Sequence, residues 1–390
     1  MLNKEKLILG FEKKYHEKPT HIFESYGRLE IIGNHTDHNH GLAIVAGCSL
    51  PIYGAVRKTN SNKVRVFSVG HGSFTVYINS LEKRESEYSR SSAIVRGLLK
   101  AFIDHGYKIG GFDLFCRSEI FEGAGVSSSA AFELLISEIL NALYNEDKVS
   151  RIELAVFSQF AEYEYFGKPC GILDQIGSSF GGINYVDFDN PKKPIVESTK
   201  FPFPLRIVLT SSGGSHGNLT PLYAEIPSDM FTVAEAISQG KSHVLRDVDE
   251  KKFYETISNY GFINERQKLR AEHYFEECHR VTDAFEAVKN NDIDAFIKAI
   301  NDSGLSSSYK LKNTMVPGEY EESPEKALDI ARELAPKSAH RVHGGGFKGT
   351  IISFVREEEF TPFVRAMKKV YGARAVKEVF IPDYGAHEVK

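Results

Sequence analysis

Apolar positions recur along the chain with two periods, two residues and about 3.6, and each run marks a candidate element. Residues 27–32 and 42–50 are dense in branched apolar side chains and read as strands, and 63–79, β-branched and broken by turn formers, reads as a hairpin. Over 130–144, Leu134, Leu135, Ile136, Ile139, Leu140 and Leu143 predict a buried helix. The next helix is marked by its ends: Ser150 and Glu153 have capping-box spacing, Ile152, Val156 and Phe160 follow at helical intervals, and Gly167 and Pro169 stop it. A strand is predicted over 182–188. The proline-bearing stretch 201–205 is the expected boundary between a first domain, 1–205, and a second, 206–390. Beyond it, helices over 264–289 and 322–334 alternate with strands, including 350–355.

A length of 390 residues suits two medium-sized domains better than one core. The 48 Lys and Arg nearly balance 52 Asp and Glu, for a net charge of −4, and no basic patch is interleaved with stacking aromatics. No nucleic-acid partner is expected. The first 18 residues lack the continuous apolar run of a signal peptide, and no run reaches the roughly 18 residues of a membrane span, so no membrane partner is expected either. Cys48, Cys116, Cys170 and Cys278 lie far apart, in a pattern that neither frames disulfides nor ligates zinc and that suits a reducing cytoplasm. The expectation is a cytoplasmic monomer.

Three polar constellations interrupt these elements. Directly before the buried helix stands Gly123-Ala124-Gly125-Val126-Ser127-Ser128-Ser129-Ala130-Ala131. Its glycines allow tight turning and close approach to a ligand, and its serines add hydroxyls and backbone N–H groups where a helix dipole favours an anion. A polyphosphate suits this arrangement; so does a plain Gly/Ser linker that caps a helix. The Gly-Lys-Ser/Thr ending of a Walker A loop is missing, which excludes the ordinary P-loop.

The second constellation runs from Gly27 and Arg28 through Gly33-Asn34-His35-Thr36-Asp37-His38-Asn39-His40-Gly41. Its hydrogen-bonding side chains, packed densely after a strand, suit a polyol. Three histidines with Asp37 also invite a metal, although their spacing matches no common zinc site, and a polar hairpin turn needs neither ligand. The third runs from Ala161-Glu162-Tyr163-Glu164 to Gly171-Ile172-Leu173-Asp174-Gln175. Glu162 and Glu164 fall in the last turns of their helix, where negative charge opposes the dipole, a placement that suggests another task such as holding a metal. Asp174 lies in a mostly apolar run, where an unpaired carboxylate is costly, and a helix cap is its simplest alternative role.

In this order, the segments resemble the GHMP kinases, and the galactokinases in particular. That family's signatures run Gly-Arg-(x)-(x)-(x)-Ile-Gly-Glu-His-Thr-Asp, then Gly-x-Gly-Leu-Ser-Ser-Ser-Ala, then Cys-Gly-Ile-Met-Asp-Gln. A fourth, Arg-x-Thr-Gly-Gly-Gly-Phe-Gly-Gly, corresponds here to Arg341-Val342-His343-Gly344-Gly345-Gly346-Phe347-Lys348-Gly349. The resemblance extends over about 27–386, nearly the whole chain. It implies an α+β fold of two domains, ribosomal-protein-S5-like at the N-terminus and ferredoxin-like at the C-terminus, with the active site between them. It implies ATP and Mg²⁺ as cofactors and phosphorylation of a sugar, galactose to galactose 1-phosphate.

By the same resemblance, Gly123, Ala124, Gly125, Val126, Ser127, Ser128, Ser129 and Ala130 would wrap the ATP phosphates, and Ser129 and Glu162 would hold the metal. Asp174 would take or orient the proton of the sugar hydroxyl, with Arg28 lowering its pKa and steadying the phosphate in transfer. Asn34, His35, Asp37 and Tyr223 match sugar-contacting positions, and the loop 344–346 would close the site from the second domain. Phosphoryl transfer depends mainly on positioning and charge, which suits this division of roles.

The chain departs from the pattern at several points. Asn34 replaces the family's glutamate, His38 a common tyrosine, Phe121 a proline and Lys348 a glycine, and Ala224 and Glu225 follow Tyr223 where arginines often stand. These positions bear on sugar identity, leaving galacturonate and N-acetylgalactosamine as alternative substrates. A non-catalytic sugar sensor is the alternative of another class, disfavoured by the intact stretch 127–131 and by the presence of Arg28 and Asp174.

Overall fold

The computed structural model describes residues 4–121, 123–213 and 219–389. The first half supplies helix α1 (Lys4–Tyr15), the long strands β1 (His21–Ile32) and β2 (Leu42–Thr59), and the hairpin β3 (Lys63–Ser68) and β4 (Gly72–Tyr77). Helix α2 (Ser91–Asp104), strand β5 (Gly111–Ser118), helices α3 (Ser128–Asn145), α4 (Arg151–Phe160) and α5 (Leu173–Ser179), and strands β6 (Ile183–Asp187) and β7 (Ile195–Thr199) follow. The second half runs β8 (Arg206–Ser211), α6 (Thr220–Ser238), α7 (Glu250–Thr256), α8 (Glu265–Lys289), α9 (Ile293–Ser306) and α10 (Pro324–Leu334). It ends with β9 (Ala339–His343), β10 (Thr350–Val355), α11 (Glu357–Tyr371), β11 (Val376–Val379) and β12 (His387–Glu388).

Two sheets organise these elements. The larger has the order β12-β1-β2-β5-β3-β4, with β6 and β7 continuing from β2. β3 and β5 pair in parallel, and the other neighbours in that sheet are antiparallel. The smaller sheet is antiparallel in the order β11-β8-β10-β9, the fourth-first-third-second arrangement of a ferredoxin-like unit. β8 begins at Arg206, and the short β12 returns to pair with β1.

The cores follow from the sequence pattern. α3 is apolar on almost every side and lies against α2, α4 and the large sheet, where Leu98, Phe102, Leu134, Leu135 and Phe157 are buried. A second core joins the two sheets through Leu29, Ile31, Ile44, Leu209, Ile352 and Phe354. Side chains alternate across a strand, so the residues that put Leu29 and Ile31 into this core turn Arg28 and Glu30 the other way, into a cavity. Among the described residues, no helix is long and apolar enough to cross a membrane.

The predicted elements appear with shifted ends. The capping boxes of α4 (Ser150 with Glu153) and α8 (Asn264 with Gln267) are both formed. The helix predicted through residues 150–166 is α-helical only to Phe160. It continues as a π-helical turn, Ala161–Phe166, closed by Gly167 in the left-handed region at φ 82°. Such turns favour functional sites, and this one carries Glu162.

Candidate active site

Strand β1 aims Arg28 at the first turn of α5, where Asp174 stands. Arg28 Nε and Nη2 donate to one oxygen of Asp174, Oδ1, at 2.7 and 2.5 Å, and Nη1 donates to Gly125 O at 3.1 Å. One guanidinium thus joins the Asp174 carboxylate to the glycine loop ahead of α3. Burial alone would raise the pKa of Asp174, but the charges of Arg28 and Lys168 outweigh it and hold the carboxyl below its ordinary value. The close approach of loop and strand needs Gly27. A Cβ there would lie 2.7 Å from Val126 O, and the next residue, Arg28, donates its own N–H to that oxygen at 2.7 Å. Gly177 leaves the room for Arg28, since a Cβ on it would stand 2.4 Å from Arg28 Cγ.

Arg28 and Asp174 face a cavity of about 180 Å³. Three of the residues matched to sugar contacts, Asn34, His35 and Asp37, line it, as do Gly344 and Gly345 from the second half of the chain. His35 Nε2 donates to Gly345 O at 3.0 Å. Burial, and then the neighbouring His38, hold His35 below its ordinary pKa, so its ring is neutral at neutral pH with Nδ1 as an acceptor. Asn34 is 1 % exposed, and its amide is bonded to protein on both ends. The fourth matched residue, Tyr223, stands behind the lining. Its hydroxyl donates to Gly346 O at 3.0 Å and its ring packs edge-on against Phe347, supporting the loop that closes the cavity.

The predicted phosphate loop passes along the other side of Arg28. Gly123 and Gly125 have φ of 80° and 70°, and Ser127, at φ 55°, takes a left-handed conformation that costs a non-glycine residue of order 1 kcal/mol. Such conformations cluster at ligand-binding sites. Ala124 and Val126 are anchored in the apolar core, while Ser128 and Ser129 begin α3, whose third residue, Ala130, is fully buried. From the second sheet, Thr350 Oγ1 lies 3.1 Å from Gly123 O and 3.3 Å from Ala124 O. His343 Nε2 accepts from the N–H of Glu30 at 3.1 Å, which leaves the ring proton on Nδ1, buried without a partner among the described residues.

Glu162 is fully buried. Lys168 Nζ meets its Oε1 at 2.8 Å, and Gln175 Nε2 donates to Oε2 at 2.8 Å and to Glu133 Oε2 at 3.0 Å. Burial, then the charge of Glu162, drives the pKa of Glu133 well above its ordinary value. Glu133 Oε1, Gln175 Oε1 and Ser127 Oγ are buried without partners among the described residues. Ser129 is half-buried, and no described residue bonds its hydroxyl. These are oxygen donors of the type Mg²⁺ takes, one or two carboxylates completed by substrate phosphates. The orphaned oxygens beside them show a polar site larger than its protein partners fill. Among the described residues no three His, Cys, Asp or Glu side chains cluster as a self-sufficient metal site.

Glu133 was not among the predicted site residues, though a signal existed: it stands one helical turn after Ser129, on the same face of α3. Glu30 had one too, two residues after Arg28 on the same face of β1, and Lys168 lies six residues after Glu162; His343 had none, because a contact with a distant segment brings it in.

Comparison with known proteins fits this geometry. Residues 93–182 match the profile of the GHMP kinases N terminal domain, and 10–58 match the galactokinase galactose-binding signature. A galactokinase of Clostridium beijerinckii is 30% identical over 383 residues, 96% of this chain and 95% of the relative. The chain belongs to the galactokinase family. A galactokinase of Lactobacillus helveticus is 28% identical over 95% of this chain and 94% of its own. Among solved structures, Lactococcus lactis galactokinase complexed with galactose superposes with a TM-score of 0.84 at 24% identity, covering 100% of both chains. The mevalonate kinase of Methanococcus jannaschii gives 0.66 at 16% identity, over 93% of this chain and 98% of that one. The fold is therefore that of the GHMP kinases, as the galactokinase motifs implied, and the chain is a sugar kinase.

Proposed function

We propose that this galactokinase-family chain transfers the γ-phosphoryl group of ATP to galactose, giving galactose 1-phosphate. The observation that carries the reading is the position of Arg28, which binds Asp174 at the sugar cavity and Gly125 of the glycine loop at once. Acceptor and donor are thereby brought to opposite sides of one guanidinium.

In this reading the backbone N–H groups and hydroxyls of 123–130 hold the polyphosphate, and Asn34, His35 and Asp37 shape the sugar cavity, with Tyr223 fixing its 344–346 wall. Asp174, kept ionised by Arg28 and Lys168, orients the attacking hydroxyl and takes its proton as oxygen bonds to phosphorus and the bond to ADP breaks. A carboxylate with a lowered pKa is a weak base, so the proton moves late, as suits a loose transition state with little nucleophilic demand. Arg28 offsets the charge that builds on the phosphoryl oxygens. Ser129 and Glu162 would hold Mg²⁺, which supplies charge neutralisation of the phosphates. Lys168 sits on Glu162 and would have to yield that oxygen.

The reading extends to two domains meeting at about 205/206, supported by the start of β8 at Arg206, and to a monomer in the cytoplasm, a compartment that the four unpaired cysteines support. The test is ADP release with galactose, galacturonate and N-acetylgalactosamine, with the phosphorylated position read by NMR. Galactose 1-phosphate is expected as the preferred product. Failure to phosphorylate galactose while another of these sugars is turned over would overturn the substrate.

A further inference from the structure

The family's signature places a glutamate at the position of Asn34, a carboxylate the cavity loses there. The amide of Asn34 has no bonding capacity left for a ligand. Nδ2 spends its two hydrogens on Glu30 Oε1 and Gly344 O, both at 2.9 Å, while Oδ1 accepts from Asn313 Nδ2 at 2.7 Å and Ser307 Oγ at 3.4 Å. Glu30 is the opposite case. It lines the cavity, with its side chain 7% exposed. Its Oε1 is fixed by Asn34 and backed by Arg341 Nη2 at 3.5 Å, and its Oε2 bonds to no described residue. That oxygen opens to the cavity, where a ligand hydroxyl can donate to it.

We propose that Glu30 supplies the carboxylate that binds a hydroxyl of the sugar, and that Asn34 is its positioning residue. This rests on the galactose reading above. The placement suits a hexose. Arg28 and Glu30 are two residues apart on one face of β1, hence about 6.6 Å apart along the strand, so a pyranose with its reacting hydroxyl at Asp174 presents its far side to Glu30. The backbone there is irregular, with a register shift between Glu30 and Ile32, a feature that commonly re-aims side chains beside active sites. An ionised carboxylate only accepts hydrogen bonds, so it selects a hydroxyl and repels an acidic sugar. The relocated charge therefore directs the cavity to neutral hexoses and against galacturonate.

The test measures galactose affinity by calorimetry without nucleotide, and kcat and KM for both substrates, in wild type, Glu30→Gln and the exchange Glu30→Asn with Asn34→Glu. Glu30→Gln is expected to raise galactose Kd and KM about tenfold or more, the loss of one charged hydrogen bond, with KM for ATP unmoved. The exchange should recover much of that loss. Among 2-, 3-, 4- and 6-deoxygalactose, one should bind wild type more weakly by the same factor and lose nothing further in Glu30→Gln. An unchanged galactose Kd in a Glu30→Gln protein with wild-type melting, or independent losses for all four deoxy sugars, overturns the proposal. Should Glu30→Gln not fold, Glu30→Asp keeps the charge, and its galactose Kd must rise with the same deoxy-sugar signature or the proposal fails. Should wild type phosphorylate a different hexose, the galactose reading falls alone, and deoxy analogues of that hexose decide Glu30.

Discussion

Arg28 holds a single oxygen of Asp174 with two nitrogens, at 2.7 and 2.5 Å, and leaves the other carboxylate oxygen to the cavity. The pairing makes Asp174 a strongly oriented and weakly basic group. Asp174→Asn keeps the shape but cannot take a proton. Turnover is expected to fall by about 10²–10⁴, the range for loss of a general base, while galactose and ATP still bind. Single-turnover rates and calorimetry on the variant check this; near-normal turnover sinks the assignment.

Glu162 and Lys168 make a prediction about the metal. If Glu162 holds Mg²⁺ as proposed, the ion must displace the Lys168 ammonium from Glu162 Oε1, 2.8 Å away. Lys168→Met is therefore expected to lower the Mg²⁺ concentration for half-maximal rate, and Glu162→Gln to raise it while the protein still folds. Mg²⁺ titrations that overlay wild type in both variants would remove Glu162 from the metal site.

Gly177→Ala tests how tightly Arg28 is seated. The added Cβ would lie 2.4 Å from Arg28 Cγ and 3.1 Å from its Cβ, near the root of the side chain, where rotation gives little relief. A loss of kcat of at least about tenfold is expected, with stability down by on the order of 1–3 kcal/mol, the usual cost of overpacking. Wild-type kcat in Gly177→Ala would show that Arg28 need not hold its present position.

Two buried histidines set an acid limit on stability. Burial lowers His273 and His340 from their ordinary 6.5 to about 4. Both are neutral in the fold and charge more readily when unfolded, so the stability they contribute is full above pH 6.5 and is lost as pH falls towards 4. Each accounts for up to roughly 3 kcal/mol across that window. His273→Gln, which keeps a donor for Asn34 O, should melt with a flatter pH dependence between 6.5 and 4. A melting profile parallel to wild type over that range contradicts the assignment.

Periodicity made the elements legible wherever one face or all faces are buried, as in α3 and in residues 27–32 of β1. Their ends were less so. β2 runs through Pro51, which normally marks a strand end and here sits opposite Tyr26, beside a register shift that accommodates it. The π-helical turn at 161–166 was hidden because six residues do not distinguish its period from that of an α-helix. Motif spacing brought Arg28, Asp174, Asn34, His35 and Asp37 to one cavity. It did not show that Asn34 is fully engaged by Glu30, Gly344 and Asn313, since the last two come from distant segments. The tie between Glu133, Gln175 and Glu162 is likewise a matter of helix packing.

Glu277, on α8, accepts the backbone N–H of Gly33 at 3.0 Å and of Asn34 at 3.3 Å, so the turn that shapes the sugar cavity is pinned by a residue more than 240 positions later in the chain. β1, which carries Arg28 and Glu30, also waits for β12 at 387–388 to cover its edge. During biosynthesis, then, the strand that carries Arg28 and Glu30 emerges early and is finished last. A chain cut short anywhere before α8 lacks the carboxylate that anchors this turn, so the turn at 33–34 is among the last local structures that synthesis completes.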